Sequence, residues 1–254
     1  MSPRIAGPVG KLEVDDGGRG DAVLFVHSLA GNSGHWSAQL EHVRRKRRGV
    51  ALDLRGHGKS EAPGSGGYSV ESVGEDVGAV ADALGIERFA LVGHSFGAGV
   101  ALAYAGAHPD RVTRLLVADP VGDGTQTPEA EVRPFLEALD SPAYAETIES
   151  YWTSIGGSDG AVVERLLRDL SATPRETVVR GLRAVMAFDP KPALASFRGP
   201  TLAVITPAND FPYSMHRLGA GLPCRVINGT GHWLQIERPE EFNRILERFL
   251  EAKA

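Results

Sequence analysis

A serine hydroxyl attacks a carbonyl carbon only when a base takes its proton and a third group holds that base. Ser95 has a setting for such chemistry. Gly93-His94-Ser95-Phe96-Gly97 follows the continuous apolar run Phe89-Ala90-Leu91-Val92 and precedes Ala98 to Ala105, a stretch of small, helix-compatible residues that closes before Pro109. The apolar run fits a strand buried on both faces, and the stretch after Ser95 fits a helix. A turn from strand to helix in so few residues strains the backbone of its middle residue, and side chains two positions to either side would collide with neighbouring chain. Glycine at 93 and 97 removes them. A serine that only caps the helix needs no glycine on both flanks, so the pattern reads as a nucleophile elbow that lifts the Ser95 hydroxyl above the carboxyl edge of a parallel sheet.

Of the eight histidines, His232 is the best-placed base. It lies in Asn228-Gly229-Thr230-Gly231-His232-Trp233, directly after the last apolar run, and the flanking glycines read as backbone bent to aim it. For the acid, Asp210 follows the run Thr201 to Ile205 through Thr206-Pro207-Ala208-Asn209, which gives the chain order Ser95, Asp210, His232. Asp119, at the end of Leu115-Leu116-Val117-Ala118, is the alternative acid. The oxyanion of a tetrahedral intermediate needs donors already in place; the backbone N–H of Phe96, next to the nucleophile, is one, and that of Leu29, in His27-Ser28-Leu29-Ala30-Gly31, is the second.

The elements that must position these groups alternate. Apolar runs at Ala22–Val26, Gly49–Leu54, Phe89–Val92 and Leu115–Ala118 are separated by helical patterns near Trp36–Arg45, Val70–Leu84 and Ala98–Ala107. Such alternation predicts a mostly parallel sheet covered by helices on both faces, with ligands beyond the carboxyl ends of the strands. From 121 to 190 the pattern is helical, broken at Pro128, Pro134, Pro142, Gly156-Gly157 and Pro174, and reads as a helical cap inserted between two strands. Residues 1–120 and 191–254 then form the α/β core, with strands at Thr201–Ile205 and Cys224–Ile227 and a last amphipathic helix from Pro239 to about Leu250.

Composition bounds the partners. A chain of 254 residues with 42% hydrophobic content can bury one substantial core. A net charge of −5 and a pI near 5.9 argue against a nucleic-acid or anionic-membrane surface and for a small-molecule partner. The basic run Arg44 to Arg48 reads as the solvated end of the helix begun near Trp36, its cations meeting the negative end of the dipole. Cys224 is the only cysteine, so no internal disulfide and no multi-cysteine metal site can form; neither a metal nor a cofactor is expected. With no signal-like or membrane-length apolar segment, a cytoplasmic location is the expectation.

Taken with "LDLRGHGKS" (Leu52 to Ser60) and "GTGHW" around His232, the elbow pentapeptide makes the chain resemble the α/β-hydrolase superfamily along essentially its whole length. The resemblance implies the α/β-hydrolase fold and places the tight loop Leu52–Ser60 after the fourth strand. The segment Ser28-Leu29-Ala30-Gly31, with Trp36 shortly after, is similar to the oxyanion loop of enol-lactonases that open small carboxylated lactones. His27-Ser28 stands where many relatives have His-Gly, which adds a side chain beside the oxyanion site. His57 and His94 fall inside family motifs and are expected to make local hydrogen bonds or shape the site, with Asp53 and Arg55 bracing the loop around them.

The expected reaction is hydrolysis of a small carboxylic ester or lactone through an acyl-enzyme. Serine at the elbow, rather than aspartate, disfavours dehalogenation and epoxide opening. Ser28, His94, Trp152, Phe188, Phe211 and Trp233 are the expected pocket residues, core packing being the alternative for each aromatic. Arg133, Arg165 and Arg183 are the cap cations available to clamp a substrate carboxylate. Carbon–carbon hydrolysis of a diketone-like ring-cleavage product, a peroxidase-like side reaction and a slow, hormone-receptor-like binding role are the competing readings.

Overall fold

The computed structural model describes residues 4–64, 66–219 and 221–252. Eight strands form one sheet: β1 (Arg4–Ala6), β2 (Lys11–Gly18), β3 (Ala22–Val26), β4 (Arg48–Leu52), β5 (Phe89–His94), β6 (Val112–Ala118), β7 (Thr201–Ile205) and β8 (Cys224–Val226), in the order β1-β2-β4-β3-β5-β6-β7-β8. From β4 to β8 all neighbours are parallel; β1 and β2 add an antiparallel edge. This is the α/β-hydrolase fold. The antiparallel edge went unpredicted because β2 carries only two buried apolar residues, Leu12 and Val14, before running into Asp-Asp-Gly-Gly.

The central strands are apolar throughout because both faces are covered. In β5, Phe89 and Leu91 point into one core cluster while Ala90 and Val92 point into the other, and β3 divides Leu24 and Val26 from Val23 and Phe25 in the same way. Helices α2 (Val70–Ala83) and α3 (Phe96–Ala107) cover the first face; α1 (Ser37–Val43) and α10 (Pro239–Glu251) cover the second. The period of two in a strand thus sends successive side chains into separate cores.

Register sets the site. Val26 pairs with Gly93, His94 with Ala118, and Ala118 with Val204, so the residues that follow β3, β5, β6 and β7 emerge side by side at one edge. Between β6 and β7 the chain forms α4 (Glu129–Asp140), α5 (Tyr144–Ile155), α6 (Gly160–Ala172), α7 (Arg175–Ala187) and α8 (Lys191–Ser196), with no strand among the described residues there. Pro142, Gly156-Gly157 and Pro174 lie between these helices and Pro128 immediately before α4, whereas Pro134 lies inside α4, where its missing N–H leaves one carbonyl without an intrahelical partner. A short helix, α9 (Leu234–Glu237), follows the loop after β8.

The basic run is solvated at Arg45 and Lys46 and tied down at its other arginines. Helix α1 stops at Val43, and the run forms the turn into β4. Arg44 pairs with Asp15 at 2.7 Å, Arg47 with Glu247 at 3.0 Å and Arg48 with Asp16 at 2.7 Å. Among the described residues no helix is long and apolar enough to cross a membrane.

Candidate active site

Ser95 occupies φ 54 and ψ −118 between β5 and α3, a region that a residue with a side chain holds only under constraint. Its N–H donates to the Ala118 carbonyl at 2.9 Å. A Cβ on Gly93 would stand 2.2 Å from the Gly97 carbonyl oxygen, and one on Gly97 would stand 2.3 Å from that of His27. Both glycines are therefore required by close backbone approach. The Ser95 side chain makes no capping bond to α3, so its hydroxyl is not occupied as a helix cap.

His232 follows β8 in a loop held from the helical insertion. Its N–H donates to the carbonyl of Ile155, at the end of α5, at 2.8 Å. A Cβ on Gly231 would come within 2.2 Å of the Gly157 nitrogen, so Gly231 permits the approach of the α5–α6 turn, while Gly229, at φ 72, makes the bend. The imidazole Nδ1 lies 2.6 Å from Asp119 Oδ2. With its proton on Nδ1, donated to the carboxylate, the ring keeps Nε2 as a free lone pair.

Asp119 sits just beyond β6 at φ 39, and its own N–H donates to the Val204 carbonyl. Its Oδ1 accepts from the Thr206 N–H at 2.7 Å and from Thr206 Oγ1 at 3.0 Å. Asp210, the acid favoured from chain order, is elsewhere. Its carboxylate is gripped by Arg217, with Nε at 2.5 Å and Nη2 at 2.8 Å, and by His216 Nε2 at 3.0 Å. The Arg217 guanidinium holds the Asp210 carboxyl down at about 2. The physical cause is competition for partners: Arg217 and His216 hold Asp210, while two Thr206 donors and the His232 ring converge on Asp119.

Ser95, Asp119, Thr206 and His232 line one cavity of about 550 Å³, roofed by Tyr151, Ser154 and Ile155 of α5 and by Val185 and Met186 of α7. Of the six expected pocket residues, only Phe211 lines it. Trp152, Phe188 and Trp233 are buried in the hydrophobic core, where their large apolar surfaces are removed from water. Ser28 is buried and its Oγ accepts from Trp233 Nε1 at 3.2 Å. Among the described residues neither arginine nor lysine lines the cavity. Arg133 pairs with Glu129, Arg183 with Asp140, and Arg165 lies 3.9 Å from Asp169, so the three cap arginines are not directed at Ser95.

The turn Ser28–Gly31 is closed by the Gly31 N–H donating to the Ser28 carbonyl at 3.0 Å, with Ala30 at φ 55. This leaves the Leu29 N–H without a partner among the described residues. Phe96 N–H, first in α3, has no intrahelical acceptor either. Neither Leu29 nor Phe96 is among the residues that line the cavity, and both are buried in the core.

The buried histidines brace this frame. His94 Nε2 donates to the His232 carbonyl at 2.8 Å while its Nδ1 accepts from Gln235 Nε2 at 3.2 Å; burial pushes its pKa well below the ordinary range. His94 supports the His232 loop from below and lies outside the cavity. His27 donates from Nδ1 to the Ser28 carbonyl at 2.7 Å and accepts the Leu54 N–H at Nε2 at 3.0 Å, tying the turn after β3 to the loop after β4. His57 donates to the Arg55 carbonyl at 2.9 Å. Asp53 accepts from the N–H groups of Ser33 and Lys59, and Arg55 forms a buried pair with Asp76.

Residues 21–147 match the family described as alpha/beta hydrolase fold. The chain belongs to the α/β-hydrolase family. Among curated relatives of this α/β-hydrolase, it is 30% identical over 276 residues to a 2-hydroxymuconate semialdehyde hydrolase of Pseudomonas putida, covering 94% of this chain and 90% of that protein. It is 28% identical to the dihydrolipoyllysine-residue acetyltransferase component of the acetoin cleaving system of Cupriavidus necator, covering 92% of this chain but only 64% of that longer protein. A solved N-acyl homoserine lactone degrading enzyme superposes with a TM-score of 0.84 at 28% identity, covering 97% of this chain and 100% of its own.

Thr206 and Met186 are among the cavity-lining residues that the sequence did not single out, as are Tyr151, Ser154, Ile155 and Val185. Thr206 carried no motif, and its role as a donor to Asp119 exists only once β6 and β7 lie side by side. Met186 looked like any apolar residue of an amphipathic helix.

Proposed function

We propose that this protein is a serine hydrolase of small, neutral carboxylic esters or lactones, with Ser95 as nucleophile, His232 as base and Asp119 as the acid that holds it. The observation that carries the reading is the 2.6 Å contact between His232 Nδ1 and Asp119, made beside the cavity that Ser95 also lines. Similarity to a lactone-degrading enzyme supports the substrate class.

In this reading His232 Nε2 takes the Ser95 proton as Oγ bonds to the carbonyl carbon. The resulting oxyanion is met by the N–H groups of Phe96 and Leu29, each worth on the order of 100- to 1000-fold in rate. Collapse breaks the carbon–oxygen bond, and His232 returns the proton to the leaving alcohol, which stays attached to the acyl group if the substrate is a lactone. Water then gives His232 a proton and attacks the acyl-enzyme, and Ser95 leaves with that proton. Asp119 fixes the tautomer with Nε2 free and stabilises the imidazolium. The helices of 121–190 act as the cap that excludes bulk water and shapes the cavity. Because no arginine or lysine among the described residues lines that cavity, an uncharged reacting end fits better than a carboxylate.

Carbon–carbon hydrolysis is the second reading, favoured by the 30% identity to a semialdehyde hydrolase. The same nucleophile, base and donors would serve it, with a carbanion rather than an alkoxide leaving.

The test is hydrolysis of p-nitrophenyl acetate, p-nitrophenyl butyrate and a panel of small lactones by the wild type and by Ser95→Ala. Multiple turnovers that vanish in the variant are expected. Turnover that survives Ser95→Ala would overturn the assignment, and a single stoichiometric burst would favour a receptor-like role.

A further inference from the structure

Next to the cavity that holds Ser95 lies a second one of about 490 Å³, between α4, α7 and the turn at 124–127. The two share Gly124, Thr127 and Met186 as lining, so they adjoin, and Met186 stands at the junction. Gly124 makes that junction narrow on one side: a Cβ there would stand 2.1 Å from the Val185 carbonyl oxygen and 2.8 Å from the Met186 backbone. The turn therefore lies directly on α7 and contributes no side chain at Gly124, which leaves Thr127 and Met186 at the opening, the thioether being the longer and more adjustable of the two.

The outer cavity combines an apolar strip with charged and threonine side chains. Val132 and Leu136 of α4, one helical turn apart on one face, share its lining with Met186. Its two cations are already paired, Arg183 with Asp140 at 2.6 Å and Arg133 with Glu129 at 3.2 Å. Glu137 adds a further carboxylate to the lining. Among the described residues an anionic tail would meet no free cation there and one surplus negative charge, whereas an alkyl chain meets Met186, Val132 and Leu136, whose apolar surface favours each methylene it buries.

We infer that the outer cavity is a subsite for an uncharged alkyl chain of the substrate, reached from Ser95 past Met186, and that Met186 selects substrates by chain length. This rests on Ser95 being the nucleophile. The same chemistry serves an alkyl chain on the acyl side or on the alcohol side of the ester.

The test compares the wild type, Met186→Trp and Leu136→Trp on p-nitrophenyl acetate and octanoate, which lengthen the acyl side, and on ethyl and octyl acetate, which lengthen the alcohol side. For the series whose chain enters the subsite, both variants are expected to lose about tenfold or more in kcat/KM on the eight-carbon substrate relative to the two-carbon one, and Leu136→Trp, which lies outside the Ser95 cavity, is expected to keep the two-carbon rate within about threefold. The series that responds assigns the side. An unchanged long-to-short ratio in both series and both variants overturns the subsite even if acetate hydrolysis depends on Ser95. If no ester is turned over, the proposed reaction fails separately, and calorimetric binding of 1-octanol decides the subsite. Binding by the wild type that is lost in both variants supports it; no binding, or equal binding in all three, overturns it.

Discussion

His232 Nδ1 and Asp119 Oδ2 lie 2.6 Å apart, and the acid in that contact comes from the end of β6, the strand next to the elbow strand β5, not from the loop after β7. Asp119→Asn should therefore lower kcat for p-nitrophenyl acetate by roughly 1000- to 10,000-fold, because an amide presents the wrong partner to Nδ1. Asp210→Asn, at an exposed ion pair with Arg217, should stay within about threefold of wild type. Steady-state kinetics on the two variants decide between them, and the opposite ranking would return the role to Asp210.

Thr206 should act as a positioning residue. Thr206→Val keeps the backbone N–H on Asp119 Oδ1 but removes the 3.0 Å hydroxyl bond; a bond worth about 1 to 1.5 kcal/mol corresponds to a fall in kcat of about tenfold. KM should be unchanged, and Thr206→Ser should restore the rate. A rise in KM with kcat intact would mean that Thr206 touches substrate instead.

Gly97 is held against backbone that cannot move aside. A Cβ there would lie 2.3 Å from the His27 carbonyl oxygen and 2.5 Å from that of Val26, so Gly97→Ala should cost about 3 kcal/mol or more in urea unfolding. Ser95→Ala, which adds no atom, should remain within about 0.5 kcal/mol of wild type. Equal stability of the two variants would contradict the close packing of the elbow.

Acid sensitivity should come from buried neutral histidines. Burial pushes His27 and His57 down to about 3 and His94 well below its ordinary value of 6.5. The unfolded chain binds their protons below pH ~6.5 while the folded one does not. The stability they confer is thus complete above that pH and is lost as pH falls toward 3, by about 1.4 kcal/mol per pH unit for each histidine. Urea melts between pH 7.5 and 5 should show this slope, and His57→Gln should make it shallower by one histidine's share. An unaltered slope would mean that His57 accepts its proton without unfolding.

Much of the frame was legible in the amino-acid order because it depends on neighbours in the chain. β3 and β7 fall where the apolar runs predict them, and Gly93 and Gly97 mark the elbow because a strand-to-helix turn restricts the residues within it. Helix ends were less legible: the Trp36 helix stops at Val43 because Arg44 to Arg48 turn away to meet Asp15, Asp16 and Glu247, carboxylates distant in sequence.

Sequence alone determined the strained serine and brought Asp119 and Asp210 forward as the two strand-end acids, since turn geometry and strand termination are local properties. Only the tertiary structure decided which acid meets His232 and which side chains line the cavity. Asp119 and Asp210 are both aspartates that follow buried strands, and nothing within either segment distinguishes them. The distinction lies in competition for partners: Arg217 and His216 take one carboxylate, Thr206 and His232 take the other, and those contacts exist only when β6, β7 and the loop after β8 have come together. The aromatics obey the same logic, for Trp152, Phe188 and Trp233 bury their area in the core and leave the cavity wall to Tyr151, Phe211 and Met186.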